Sequence, residues 1–248
     1  MIITEQKPLD EILAILEGHE SVFLVGCPIC ATTWGTGGEP QLRQMKAALE
    51  AAGKRCVGTL MPEESTCDQR TTRLMLRRSK EALEQADAVL VLACGAGTQT
   101  VAALVDVPTY PANNTLYLAR LQSLMVSDER CRLCGECVLA ETGGICPVTL
   151  CAKGLANGPC GGYRDGKCEV DGTQDCAWVL IYRRLHELGQ EERFQVIREP
   201  KDWSKARHPR LIDKRLEGEK GESTKGGAQP APSPGPSQRE GKRKGGEA

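Results

Sequence analysis

Thirteen cysteines in a chain of 248 residues, set against only 3 histidines, are the feature with the most chemical content. Eight of them fall between positions 131 and 176, beginning with Cys131-x2-Cys134-x2-Cys137-x8-Cys146-Pro147. Three thiols at two-residue gaps let one loop wrap a single compact centre, and a terminal Cys-Pro follows the run of bacterial ferredoxins, whose fourth Cys can serve a different cluster. Structural zinc loops instead pair two ligands per knuckle. Downstream stand Cys151, Cys160, Cys168 and Cys176. Eight thiols make two four-Cys sites. Spacing does not say which four share a centre, and the second site suits either another cluster or a structural zinc.

A second constellation lies nearer the N-terminus. Cys27 and Cys30 follow an apolar run, Val22 to Val25; Cys67 follows a segment suited to a second strand, Arg55 to Leu60; Cys94 follows another apolar run, Ala88 to Ala93. These runs read as strands, separated by helical patterns at Pro40 to Ala52 and Gln69 to Ala86. Strand–helix alternation implies an open parallel sheet covered by helices, and such sheets bind ligands beyond the carboxyl ends of their strands. The four thiols are therefore expected there as a cluster site, with a redox dithiol at Cys27 and Cys30, or zinc, as alternatives. The loop Gly35-Thr36-Gly37-Gly38 would lie alongside and offer backbone N–H groups to cluster sulfides or an anion. Cys56 sits inside a strand and reads as packing. The remaining twelve thiols form three sets of four.

Residues 1–125 read as the α/β domain, completed by a short strand near Thr109-Tyr110 and a helix from about Leu116 to Leu124. Residues 126–190 read as a small Cys-rich, ferredoxin-like metal-binding domain. With few large apolar side chains, that segment needs an inorganic core. It closes with an amphipathic helix from Ala177 to Leu188. Residues 191–216 read as a docking extension, and 217–248, made of Gly, Pro, Ser and charge, as a disordered tail.

Composition excludes other classes. A net charge of −1 and 4% aromatics argue against a dedicated nucleic-acid binder. No apolar run is long enough to span a membrane, and an acidic N-terminal stretch does not resemble a targeting peptide. A cytoplasmic protein is expected, in which reduced thiols favour metal ligation over disulfides. The histidines (His19, His186, His208) have no general-base pairing, and no phosphate-binding glycine loop or Ser/His/Asp set is readable. Arg70, Arg73, Arg77, Arg78 and Lys80 make one helix face basic, solvated by default and suited to an acidic protein partner.

The segments MIITEQKPLDEILAIL, VGCPICATTWGTGGEP, ESTCDQR, ADAVLVLACGAGTQT and CRLCGECVLAETGGICPVTLCAKGLANGPCGGYRDGKCEVDGTQDCAW occur in this order. Over about residues 1–200 the chain resembles the MetV-type accessory subunit of bacterial methylenetetrahydrofolate reductase. The Cys-rich part is also similar to the C-terminal domain named for that reductase, often described as zinc-binding. The resemblance implies a flavin-bearing catalytic partner subunit that reduces methylenetetrahydrofolate, in one-carbon metabolism and the reductive acetyl-CoA pathway. It also implies an electron-donor protein and two or three [4Fe-4S] clusters, with zinc an option in the C-terminal module. Where the family's first motif often carries a third Cys, Trp34 stands here, so the ligand pattern transfers onto Cys27, Cys30, Cys67 and Cys94 only. The expected role is a noncatalytic electron relay; a purely structural zinc-binding subunit and a thiol oxidoreductase using Cys27 and Cys30 are the alternatives.

Overall fold

The structure is a computed structural model that describes residues 1–214; the tail assigned to 217–248 lies outside the described residues. Residues 1–202 form one compact unit, and a second begins at Trp203.

Four strands form the expected parallel sheet: β2 (Ser21–Val25), β3 (Arg55–Leu60), β4 (Ala88–Val91) and β5 (Thr109–Pro111), in the order β3-β2-β4-β5. The central strands are apolar on both faces because helices cover both. Val22, Leu24, Leu90 and Leu92 pack with Leu42, Met45 and Leu49 of α3 (Glu39–Ala51) and with Ile12 of α1 (Leu9–Ile15). Phe23, Val25, Val89 and Val91 pack on the other side with Leu76 of α4 (Gln69–Arg78) and Val101 of α6 (Gly95–Ala102). The pattern expected as one helix from Gln69 to Ala86 is broken at Ser79, which separates α4 from the short α5 (Lys80–Leu83). Asp68 caps α4 by accepting from the N–H groups of Arg70 and Thr71. A short helix α2 (Cys30–Trp34) follows β2, and Gly35 ends it in the left-handed conformation.

One expectation is corrected. Residues expected to form a helix at Leu116 to Leu124 belong to β6 (Asn113–Ser123), which pairs antiparallel with β1 (Ile2–Gln6) and with β7 (Val126–Cys131) in a separate sheet of order β1-β6-β7. Leu, Ala, Arg and Gln favour helix intrinsically, but propensity is a weak prior against two pairing partners. The strand β1 was not anticipated at all.

The Cys-rich segment has little regular structure. Between Cys131 and Cys176 it holds one short helix, α7 (Pro147–Leu150), and isolated bridges Arg164↔Lys167 and Lys167↔Asp175. The helix α8 (Ala177–Glu187) then buries Trp178, Ile181 and Leu185 against Ile145, Cys151 and Phe194. In the second unit the chain makes a single 3-10 turn at Trp203–Ala206 before residue 214. Among the described residues no helix is long and apolar enough to cross a membrane.

Candidate functional site

Parallel strands all end on the same side, so the loops after β2, β3 and β4 meet. Thr66 ties them together. Its Oγ1 donates to the carbonyl of Gly26 (2.7 Å), its own carbonyl accepts from Thr72 Oγ1 (3.0 Å), and its side chain packs so closely on Gly97 that an added Cβ would lie 3.3 Å away. Gly26 precedes Cys27, Thr66 precedes Cys67, and Gly97 lies in the first turn of α6, whose N-cap is Cys94. Cys30 opens α2. The backbone thus carries all four thiols to one end of the sheet, with Cys27 buried, Cys30 and Cys94 partly buried, and Cys67 exposed. Sequence reasoning did not single out Thr66, because a lone Thr in a loop carries no signal until its partners are known.

The glycine loop has a different role from the one expected. Its four N–H groups are already used: Gly35 donates to Thr32 O, Thr36 and Gly37 to Ala31 O, and Gly38 to Gln41 Oε1. None remains for an anion. Its glycines answer a steric demand instead, since a Cβ on Gly37 would sit 1.9 Å from Leu92 O and one on Gly26 2.6 Å from Gly37 O. The loop is held from the second sheet, where Thr4 Oγ1 bonds Thr36 Oγ1 (2.6 Å) and Asn113 Nδ2 donates to Thr36 O (3.1 Å).

Cys56 lies in β3, half-buried against the α3 side of the core; burial, reinforced by Glu50, pushes its thiol up to about 11. A thiol held protonated is a packing group. His19 bonds Tyr110 Oη (3.0 Å) and His186 bonds Glu191 (2.6 Å), both structural roles.

In the Cys-rich segment the turns are built around sulfur. Cys131 ends β7, and its Sγ accepts from the N–H of Leu133 (3.4 Å), a non-glycine residue at φ 55°. Such a conformation costs roughly 1–2 kcal/mol, so it persists where the turn itself is required. Cys146 and Cys151 bracket α7 as its caps, and Thr149 Oγ1 donates to Cys146 Sγ (3.5 Å). Since β7 packs on α7, Cys131 and Cys146 share a neighbourhood.

Cys168 has the most distinctive surroundings. Backbone N–H groups of Val170, Asp171 and Ala152 hold its thiol below the usual range. Ala152 adjoins Cys151, and Glu169, next to Cys168, accepts from Cys160 Sγ (3.5 Å) while pairing with Lys153. The N–H of Cys176 donates to Gly166 O (2.8 Å), and Cys176 shares an apolar cluster with Cys151. Among the described residues, no three His, Cys, Asp or Glu side chains stand grouped to hold a metal ion.

Sheet and loops together define an open α/β protein with thiols at its strand ends, continued by a cysteine-rich module. Residues 110–204 match the family model described as methylene-tetrahydrofolate reductase C terminal. This part of the chain is therefore similar to the C-terminal domain of methylene-tetrahydrofolate reductase, and it contains all eight cysteines from Cys131 to Cys176. No curated protein and no solved structure matches the chain.

Proposed function

We propose that this chain is an iron–sulfur accessory subunit of a methylenetetrahydrofolate reductase, passing electrons between a donor protein and the flavin of a catalytic partner subunit. One observation carries the reading: the segment that matches the reductase family encloses eight cysteines at ligand spacing. In this reading Cys131, Cys134, Cys137 and Cys146 form one ferredoxin-like set, supported by the sulfur-directed turn at Leu133 and the packing of β7 on α7. Cys151, Cys160, Cys168 and Cys176 form a second, supported by the Ala152 and Glu169 links to Cys168. Cys27, Cys30, Cys67 and Cys94 form a third at the strand ends, supported by the loops that Thr66 joins.

A bound cluster supplies one-electron chemistry; the chain's own part is to hold, orient and cover it. Backbone N–H groups at Cys131 and Cys168 stabilise thiolate sulfur, as ligating thiols require. The β6–β7 hairpin exposes Leu121, Leu124, Met125 and Val126 together, an apolar surface that a partner subunit would cover. A second reading, a structural zinc in the Cys151 set, draws on the turn at Cys168 as well, since N–H···S bonds to its sulfur suit a thiolate on a tetrahedral zinc ion equally well.

Iron, acid-labile sulfide and zinc in the anaerobically purified full chain test the proposal. Substantial iron with a visible absorption band that bleaches on reduction is expected. Zinc with near-zero iron would replace the relay by the structural reading. The isolated, flavin-free chain is expected not to turn over methylenetetrahydrofolate; turnover would sink the accessory role.

A further inference from the structure

Charges one helical turn apart are matched on two of the helices that flank the parallel sheet. Glu39 pairs with Arg43 and Lys46 with Glu50 along α3, and Lys80 pairs with Glu84 across α5. The helix α4 departs from this. Arg73 and Arg77 stand one turn apart on it, both exposed, and like charges at that spacing cost a helix stability. The helix dipole offsets the cost for Arg77, in the last turn, but not for Arg73 at mid-helix. Arg70 and Arg78 are engaged by Asp68 and Glu63. Among the described residues, neither the Arg73 nor the Arg77 guanidinium has an ion-pair or hydrogen-bond partner.

The two free guanidinia border a cavity of about 590 Å³, which lies between α4 and α5 on one side and the 103–107 loop after α6 on the other. Arg73, Leu76, Arg77 and Lys80 fall at i, i+3, i+4 and i+7, so they share the face that lines it. Leu83, Leu104 and Val105 add hydrocarbon; they pack on the sheet core yet stay only partly buried. Glu84 and Asp106 stand in the same walls. Hydrocarbon makes a poor seat for a free inorganic anion, and the two carboxylates would repel the continuous negative charge of a nucleic acid or an anionic bilayer. Discrete carboxylates on an apolar segment avoid both penalties. A guanidinium fork also matches a carboxylate bidentately, and Arg is enriched among the residues that dominate protein interfaces.

We propose that this groove docks an acidic segment of a partner protein, with apolar side chains against Leu83, Leu104 and Val105 and two carboxylates one helical turn apart paired with Arg73 and Arg77. No cysteine lines the groove, so the docking is independent of the iron–sulfur reading.

The test is fluorescence anisotropy of the full chain with a labelled synthetic helical peptide that carries glutamates one turn apart and leucines between them. The peptide is expected to bind, more weakly as salt is raised. Arg73→Glu should weaken binding by about tenfold or more, and Arg77→Gln, which removes charge without reversing it, should act in the same direction by a smaller factor. Arg43→Glu makes the same change of charge as Arg73→Glu on the exposed side of α3 and should stay within about twofold of wild type. Circular dichroism confirms that each variant is folded. A peptide with serines in place of its leucines should lose most of its affinity. Absence of binding by the wild-type chain overturns the proposal, as does binding that Arg73→Glu leaves unchanged or that Arg43→Glu weakens equally. Equal affinity for the serine peptide would reduce the groove to a general anion-binding surface. Tighter, Arg73-dependent binding of duplex DNA or of phosphatidylserine vesicles would replace the protein partner by a nucleic acid or a membrane, and Arg73-dependent self-association in sedimentation would replace it by a second copy of the chain.

Discussion

Between Ile12 and Ala112 the chain buries two apolar clusters, one on each face of the parallel sheet, with Phe23, Leu24, Leu90 and Leu92 among its fully buried side chains. Between Cys131 and Glu187 the fully buried large side chains are Ile181 and Leu185, both on the closing helix. The first region carries its own hydrophobic core. The second is turns, caps and sulfur, held to one apolar seam by α8. Stability in the two regions should therefore respond to different perturbations, and on the proposed function hydrocarbon and metal would be separable causes.

The largest effect is expected from chelation. A structural metal contributes on the order of 10 kcal/mol of folding free energy, so anaerobic treatment with a strong chelator should abolish amide-exchange protection at residues 131–176 while β2 and β4 stay protected. Unchanged protection in the Cys-rich segment would break the contrast. The converse perturbation is Leu90→Ala in the fully buried central strand. It should cost about 2–5 kcal/mol, read by chemical denaturation of the sheet domain, with metal content per folded chain unaltered.

Gly37→Ala sharpens the contrast at the boundary between core and site. Its Cβ would meet Leu92 O at 1.9 Å, and the clash should cost about 1–3 kcal/mol. The same measurement would refute the steric account if the variant were as stable as wild type. The smallest effect is electrostatic. Burial alone would raise the Asp128 carboxyl, but Arg130, Arg120 and Gln122 outweigh it and hold it down at about 2. Its pKa is depressed on folding, so its contribution is present above about pH 4, where the unfolded carboxyl ionises, and is lost as pH falls toward 2. Asp128→Asn should cost under about 1 kcal/mol at neutral pH and flatten the acid limb of a stability–pH curve; an unchanged limb would count against the pairing.

The centre of the parallel sheet was legible because strands buried on both faces leave unbroken apolar runs, as in β2 and in β4, which begins at Ala88 as expected; the edge strand β3 has no such run, yet its bounds at Arg55–Leu60 are those its sequence indicates. The second sheet was not legible. Asn113–Ser123 exposes much of its length, so neither period 2 nor period 3.6 is enforced by burial, and its strand state comes from pairing with β1 and β7. The glycine loop misled in another way. Its composition suits an anion cradle and a close-packed turn alike, and only the acceptors found for its four N–H groups distinguish them.

Residue identity alone determined the number and spacing of the thiols, the apolar strands that end beside Cys27 and Cys94, and the poverty of hydrocarbon around Cys131 to Cys176, because these are properties of composition and local order. The tertiary structure decided which groups meet across long sequence separations. Thr66 joining the loops of Cys27 and Cys67, and Ala152 and Glu169 linking Cys151 and Cys160 to Cys168, are both of this kind. The physical reason is that a hydrogen bond between distant residues depends on the path of the whole backbone, which no local spacing encodes.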